Sequence, residues 1–262
     1  APAPAPGPAP AKEAIVLKMV SAWTKTHKLT SQMFYFADLV NERSNGELRI
    51  EWAGGPEMVK AREALDALGK GEFDMLGSAP GYYEGAVAEG SILNAPLGLP
   101  YELQLPLSMK TFDIVDRVYQ EKTKTKLWMS FWTGYHMVFS KEPIRTMDDF
   151  KGLRIRGGGG FYGLPYQALG AALVKIPSEE VYVSAQRGVI DARAGNPVSA
   201  LDYKEYEVLD YIIDYPTNPS TGYFWLNLEM WNKLPQHLKD IMTRSRDDAW
   251  YWSYSWGNVS NV

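Results

Sequence analysis

The stretch at residues 153–194, LRIRGGGGFYGLPYQALGAALVKIPSEEVYVSAQRGVIDARA, decides the fold. LRIR (153–156) alternates as a short strand, and the four glycines at 157–160 turn the chain out of it. Residues 162–169 read as a helix, LVKIP (173–177) as a second strand and VIDARA (189–194) as a third. Between the last two, Ser178 is read as the N-cap of a helix over EEVYVSAQRG (179–188), with Glu180 nearby. Strand and helix alternating at this pace is the pattern of an α/β layer.

Toward the amino terminus the same alternation recurs. IVLKMV (15–20) is a short apolar run, and residues 29–45 carry Met33, Phe36, Ala37 and Val40 at helical spacing up to an Asn45-Gly46 stop. LRIEWA (48–53) is a strand broken by Gly54-Gly55-Pro56, residues 57–68 are rich in helix formers, and FDMLGSA (73–79) is a buried strand. In the middle, KLWMSFW (126–132) and YHMVFS (135–140) read as strands on either side of Gly134. Two α/β units without an internal repeat therefore share one chain. Its 262 residues sit near the upper limit of a single core and suit two lobes.

Composition narrows the function. A formal net charge of −4 argues against nucleic acid as a partner. Cysteine is absent, which removes disulfides, thiolate metal sites and cysteine nucleophiles, and the histidines, His27, His136 and His237, lack ligand spacing, so no metal and no cofactor is expected. The alternating Ala and Pro of residues 1–10 favour extended polyproline II and read as a tether behind a removed signal peptide or lipid anchor, or as a disordered or cloning-derived tail. No apolar run approaches the length of a membrane span.

Catalytic signals are thin. The glycine run is followed by Phe161 and Tyr162, and no Gly-Lys-Ser/Thr occurs, so it reads as a turn whose N–H groups face an anion beside Arg156 and not as a nucleotide loop. Asp148-Asp149, Glu179-Glu180 and Asp247-Asp248 are adjacent in sequence, so their side chains diverge, and no G-x-S-x-G elbow exists. Aromatics gather past strand ends instead: Trp23, Tyr82-Tyr83, Trp132 and Phe161-Tyr162, where open α/β sheets hold ligands. Trp250, Trp252, Tyr254 and Trp256 are read as packing.

Blocks of the chain resemble the substrate-binding proteins of tripartite ATP-independent periplasmic (TRAP) transporters. They are DDFKGLRIR (148–156), LGAALVKIPSEEVYVSAQRGVID (169–191), YEVLDYI (206–212) and LNLEMWNKLP (226–235), with a looser match through NGELRIEW, AREALDAL and GEFDMLGSAPGYY. The resemblance implies an α/β fold of two lobes in a periplasmic-binding-protein-like clamshell, with an interlobe cleft, crossing strands and a connecting helix. On that plan residues 1–12 are the tether, 13–134 with 222–262 form lobe I, and 135–221 form lobe II. The chain ends at Val262, before the last segments expected of the family's fold.

The same resemblance implies a non-enzymatic, monomeric, periplasmic receptor that delivers a small organic acid to TRAP membrane subunits. Arg156 falls where the family's carboxylate-binding arginine stands, and a guanidinium suits that role because it offers two parallel charge-assisted donors. Asn196, Arg193 and His136 are the expected polar partners, and Trp23, Tyr82, Trp132 and Phe161 the expected walls. His136 stands where several acid-binding relatives carry another arginine, Gly157 replaces the usual proline, and DARAGNP is one residue longer than common relatives. The alternatives are a binding protein of another transporter class, a ligand-sensing ectodomain or chaperone, and a hydrolase or lyase.

Overall fold

The computed structural model describes residues 14–95 and 103–259. Five strands carry the first half of the architecture: β1 (Ile15–Ser21), β2 (Leu48–Gly54), β3 (Met75–Ser78), β4 (Thr125–Ser140) and β5 (Arg154–Arg156). β6 (Ala172–Val174), β7 (Ala192–Gly195) and β8 (Tyr211–Asn227) complete it. The helices are α1 (Ser31–Arg43), α2 (Ala64–Gly69), α3 (Gln104–Thr123), α4 (Leu164–Ala168), α5 (Val181–Gln186), α6 (Pro197–Asp202), α7 (Leu228–Lys233) and α8 (Gln236–Val259).

All eight strands hydrogen-bond in the order β2-β1-β3-β8-β4-β7-β5-β6. The outer strands on each side run parallel, as helical crossovers require, whereas β3–β8, β8–β4 and β4–β7 are antiparallel. At 16 and 17 residues, β4 and β8 are long enough to serve both ends of the molecule. Their first shared segment, Thr125–Trp132 against Asn227–Thr221, lies in a large aromatic core with Trp128, Phe131, Trp132, Tyr223 and Trp225. Their far segment, Val138–Ser140 against Ile213–Tyr211, meets two smaller cores, one around Val138, Phe150, Ile155 and Tyr166 and one around Val181, Ala185, Ile190 and Leu209.

Between these segments the pairing slips around Trp132 and Gly134 and again after His136. Gly134 takes φ +98°, a conformation side-chain-bearing residues rarely adopt. The expectation of two strands around Gly134 is thus corrected to one strand with a kink. The glycine bends the ladder without ending it, because β8 supplies partners on both sides.

Helix expectations fail where local hydrogen bonds compete. In place of the expected 57–68 helix, only Ala64–Gly69 is helical. The Glu57 carboxylate turns back to accept from the Gly55 N–H at 2.7 Å, and Met58 N–H bonds the Gly55 carbonyl in a tight turn. α8, by contrast, runs 24 residues and buries Leu238, Met242, Ala249, Trp250 and Tyr254 along one face. It packs against α1 and β4, with Trp252 stacked on Tyr35 at 4.4 Å and Trp250 against Phe112 at 4.9 Å. These aromatics are packing, as their sequence suggested, and Trp256 has no described side chain.

Candidate functional site

Where β4 and β8 cross from one core to the other, the ends of β1, β3, β5 and β7 converge on a cavity. Trp23, Leu29, Ala79 and Tyr82 line it from the side of the large core. Arg156, Gly158, Tyr162, Ser178, Arg193, Gly195, Asn196 and Ser199 line it from the other side. Thr133 and His136 of β4 and Ser220, Thr221 and Gly222 of β8 form its floor. The empty space amounts to about 400 Å³, yet the centre of a water-sized sphere can sweep only about 30 Å³ of it. At this wall spacing the cavity has room for roughly two waters, and anything larger needs the walls to part.

Arg156 ends β5 and is 3 % exposed. Its Nε donates to the Ile176 carbonyl at 2.8 Å, and its Nη2 donates to Ser178 Oγ at 3.2 Å and to Tyr82 Oη at 3.4 Å. Every one of these partners is neutral, and among the described residues no carboxylate forms an ion pair with it. A buried cation without a counter-ion is costly, and an anion in the cavity removes that cost.

Arg193 stands directly across from Arg156 in the parallel register of β5 and β7. It is 1 % exposed and forms an ion pair with the fully buried Glu205 at 2.8 Å. Burial pushes the Glu205 carboxyl above its ordinary range, while Arg193 and Arg156 pull it down. The 2.8 Å separation sets the Glu205 carboxyl directly against the Arg193 guanidinium. The Arg193 guanidinium also folds back over its own strand, where a Cβ on Gly195 would sit 2.3 Å from Nη2. The glycine of the extended DARAGNP segment is therefore a fit to that arginine.

His136 stacks on Tyr162 with ring centroids 4.3 Å apart, and its Nδ1 is buried without a hydrogen-bond partner. Burial, then the charges of Arg193 and Arg156, hold its pKa well below the usual histidine value, so the ring is neutral. Asn196 caps α6, its Oδ1 accepting from Ser199 N–H at 2.8 Å, which fixes the side chain at the cavity edge.

Trp23, Tyr82, His136, Arg156, Arg193 and Asn196 thus converge on one cavity. Trp132 and Phe161 do not line it, which corrects their expected placement. On β4 neighbouring residues face opposite ways, so Thr133 takes the wall while Trp132 packs in the large core beside Tyr135 and Tyr254. Around the 3₁₀ turn Gly160–Gly163 successive side chains diverge by about 120°, and Tyr162, not Phe161, faces inward.

Ser178 is also corrected. Its hydroxyl makes no cap bond and serves Arg156 and Tyr82 instead, while Pro177 occupies the cap position. Gly158, Gly160 and Gly163 do match the spacing of a dinucleotide loop, but the helix that follows has only 5 residues. The glycines serve close approach: Gly159 takes φ +101°, and a Cβ there would meet the Gly81 carbonyl oxygen at 2.4 Å. Among the described residues no group of three His, Cys, Asp or Glu side chains is placed to hold a metal ion.

Two contacts tie the sides together at the rims. On one, Glu84 accepts from Lys175 at 2.5 Å and from the Gly160 N–H. Burial alone would raise the Glu84 pKa, but these two donors outweigh it and hold the carboxyl below its ordinary value. On the other, Asp202 accepts from Lys28 N–H at 2.8 Å and lies 3.4 Å from His27 Nδ1, while His27 Nε2 meets Ser199 Oγ at 3.3 Å.

Two α/β lobes joined by crossing strands, with an arginine-bearing cavity between them, define a two-lobe binding protein. The family model described as bacterial extracellular solute-binding protein, family 7, matches residues 19–255, and the chain belongs to that family. A solute-binding protein of Albidiferax ferrireducens is 29 % identical over 218 residues, covering 79 % of this chain and 62 % of that protein. The C4-dicarboxylate-binding periplasmic protein of Rhodobacter capsulatus is 25 % identical, covering 82 % and 66 % respectively. The chain thus spans somewhat less than two thirds of the length of these relatives.

Among solved structures, a Bordetella pertussis extracytoplasmic solute receptor binding pyroglutamic acid superposes with a TM-score of 0.87 at 18 % identity, covering 94 % of this chain and 82 % of that one. A Desulfovibrio salexigens TRAP periplasmic solute-binding protein with bound orotic acid gives 0.86 at 21 % identity, covering 93 % and 79 %. The two-lobe α/β fold expected from the sequence is the fold of these proteins. Among the described residues no helix is long and apolar enough to cross a membrane.

Proposed function

We propose that the protein is an extracytoplasmic receptor that closes its two lobes over a small organic carboxylate and delivers it to the membrane subunits of a TRAP transporter. The observation that carries this reading is Arg156, a buried cation in the interlobe cavity whose hydrogen-bond partners are all neutral. A ligand carboxylate takes the place of the missing counter-ion, Ser178, Asn196 and His136 meet its remaining polar groups, and Trp23, Tyr82 and Tyr162 cover its organic body. Nothing in this scheme breaks or makes a bond, so the protein acts as a receptor and not as an enzyme.

Ligand entry links the two sides and shifts an open–closed equilibrium toward the closed form, which the membrane partner reads. The lobes in this reading are 13–134 with 222–262 against 135–221, supported by the separation of the large core from the two small ones. A periplasmic location belongs to the same proposal; residues 1–12, read above as a tether, lie outside the described residues. The pyroglutamate and orotate bound by structural relatives are acids of the size this cavity admits once its walls part.

The test is a thermal-shift screen of the full chain over carboxylates, followed by calorimetry of the best ligand on wild type and Arg156→Ala. A ligand at a hundredfold its Kd adds about 2.7 kcal/mol of stability. Absence of any carboxylate that stabilises the chain, or equal affinity in the variant, overturns the proposal.

A further inference from the structure

Two buried arginines face one cavity, side by side on adjacent strands, yet only one of them is free to act as an anion's partner. Arg156 and Arg193 are paired in register and are 3 % and 1 % exposed. Against two cations the structure sets one buried anion, Glu205, 2.8 Å from Arg193 and fully enclosed. Arg193 is further committed by donating to the Asn196 carbonyl at 3.1 Å and by lying over the Phe139 ring at 5.4 Å. Beyond the wall, the half-buried Glu179 feels the charge of Arg156 and, less strongly, that of Arg62, which lies over the Tyr82 ring, but makes contact with neither. His136, the remaining basic group on the wall, is neutral. Of the two arginines on the wall, only Arg193 has a carboxylate in contact.

We infer that Glu205 sets the charge selectivity of the cavity: by neutralising Arg193 it leaves a site for a monocarboxylate and disfavours dicarboxylates. A second ligand carboxylate would lose its water without gaining a free cation and would lie in the field of Glu205. The far end of the ligand meets neutral groups instead. Arg193 keeps one Nε–H that is buried without a partner, a donor for a neutral oxygen such as a ring carbonyl, amide or hydroxyl. The expected ligand is a compact acid with one carboxylate and one neutral polar group. Glu205 does not line the cavity and acts through Arg193, so it is a positioning residue for charge.

This inference rests on the carboxylate-receptor reading and deepens it. The experiment is calorimetry at pH 7.5 on the full chain with pyroglutamate, orotate, lactate and benzoate against succinate, malate, glutarate and 2-oxoglutarate, the last four being dianions there. The best monocarboxylate is expected to bind wild type at least tenfold more tightly than the best dicarboxylate. Glu205→Gln frees Arg193 and is expected to narrow that ratio at least tenfold by a gain in dicarboxylate affinity. Glu205→Asp keeps the negative charge beside Arg193 and should keep the wild-type preference.

A wild type that prefers a dicarboxylate, or a folded Glu205→Gln with an unaltered ratio, overturns the inference and leaves the receptor reading standing. Failure of every acid to bind overturns the receptor reading itself. Should Glu205→Gln not fold, the wild-type ratio decides.

Discussion

The lobe built on β1, β2 and β3 and the lobe built on β5, β6 and β7 bring opposite resources to the same cavity. The first has one large aromatic core and contributes apolar surface: Trp23, Leu29, Ala79 and the ring of Tyr82. The second divides its apolar residues between two small cores and contributes charge and hydrogen bonds: Arg156, Ser178, Arg193, Asn196 and Ser199. Parallel strand ends explain the second half of this contrast. β5 and β7 are short and flanked by small cores, and Arg156 at the end of β5 and Arg193 within β7 both face the cavity. The difference teaches that shape and orientation are set by different lobes, and that a ligand is gripped only when both meet.

The sharpest way to break that comparison is at the binding step. Arg156→Ala should weaken ligand binding by two to three orders of magnitude, since removing one member of a buried charged pair costs about 3–5 kcal/mol. Trp23→Ala, which removes wall and not charge, should cost about tenfold, near the lower end for losing a buried apolar contact. Calorimetry on both variants checks the ranking, and equal losses would erase the division of labour.

Stability should separate the lobes as well. Trp225, fully buried in the large core, should cost about 3–5 kcal/mol on replacement by alanine, whereas Ile155→Val in the smaller core should cost about 0.5–1.5 kcal/mol. Urea unfolding of the two variants gives both numbers.

A third test lies at the rim where the lobes touch. Burial, opposed by Asp202 and assisted by Arg193 and Lys28, lowers the His27 pKa to about 4. Between its unfolded value near 6.5 and that folded value, the unfolded chain takes up a proton that the folded chain refuses. Stability is therefore full above pH 6.5 and falls as the solution is acidified, by about 1.4 kcal/mol per pH unit and roughly 3 kcal/mol in total. His136 adds a loss of the same sign. Urea titrations at pH 7, 6 and 5 should show a shallower decline in His27→Gln than in wild type. Parallel slopes would remove His27 from the interlobe contact.

The smallest effect belongs to the opposite rim. Glu84→Gln weakens a half-exposed pair with Lys175 and should cost no more than about 1 kcal/mol in stability. In the proposed receptor, where ligand binding brings the lobes together, it should also lower ligand affinity a few-fold. An affinity gain in this variant would show that the contact does not favour closure.

Much of the architecture could be read from the chain. The strand–helix alternation of 153–194 and of 15–79 fixed the α/β layers, and the family blocks gave the two-lobe plan. Six expected site residues meet at one cavity, because strand ends at a crossing point are a topological property visible in the pattern. Trp132 and Phe161 were misplaced for a different reason. Which of two neighbouring aromatics faces a cavity depends on the phase of a strand or the path of a 3₁₀ turn, and composition is silent on phase. The local sequence around Ser178 offers a helix start, whereas a long-range partner, Arg156, claims its hydroxyl.

The sequence by itself determined the layer type, the strand that ends in Arg156 and the absence of cysteine chemistry. These are local or compositional, and periodicity and residue type suffice for them. Only the tertiary structure decided that Arg193 is matched by Glu205 while Arg156 is left with neutral partners, and that Glu84 and His27 bridge the rims. Net charge at a site is a sum over groups distant in sequence, so it exists only once the fold has brought them within a few ångströms.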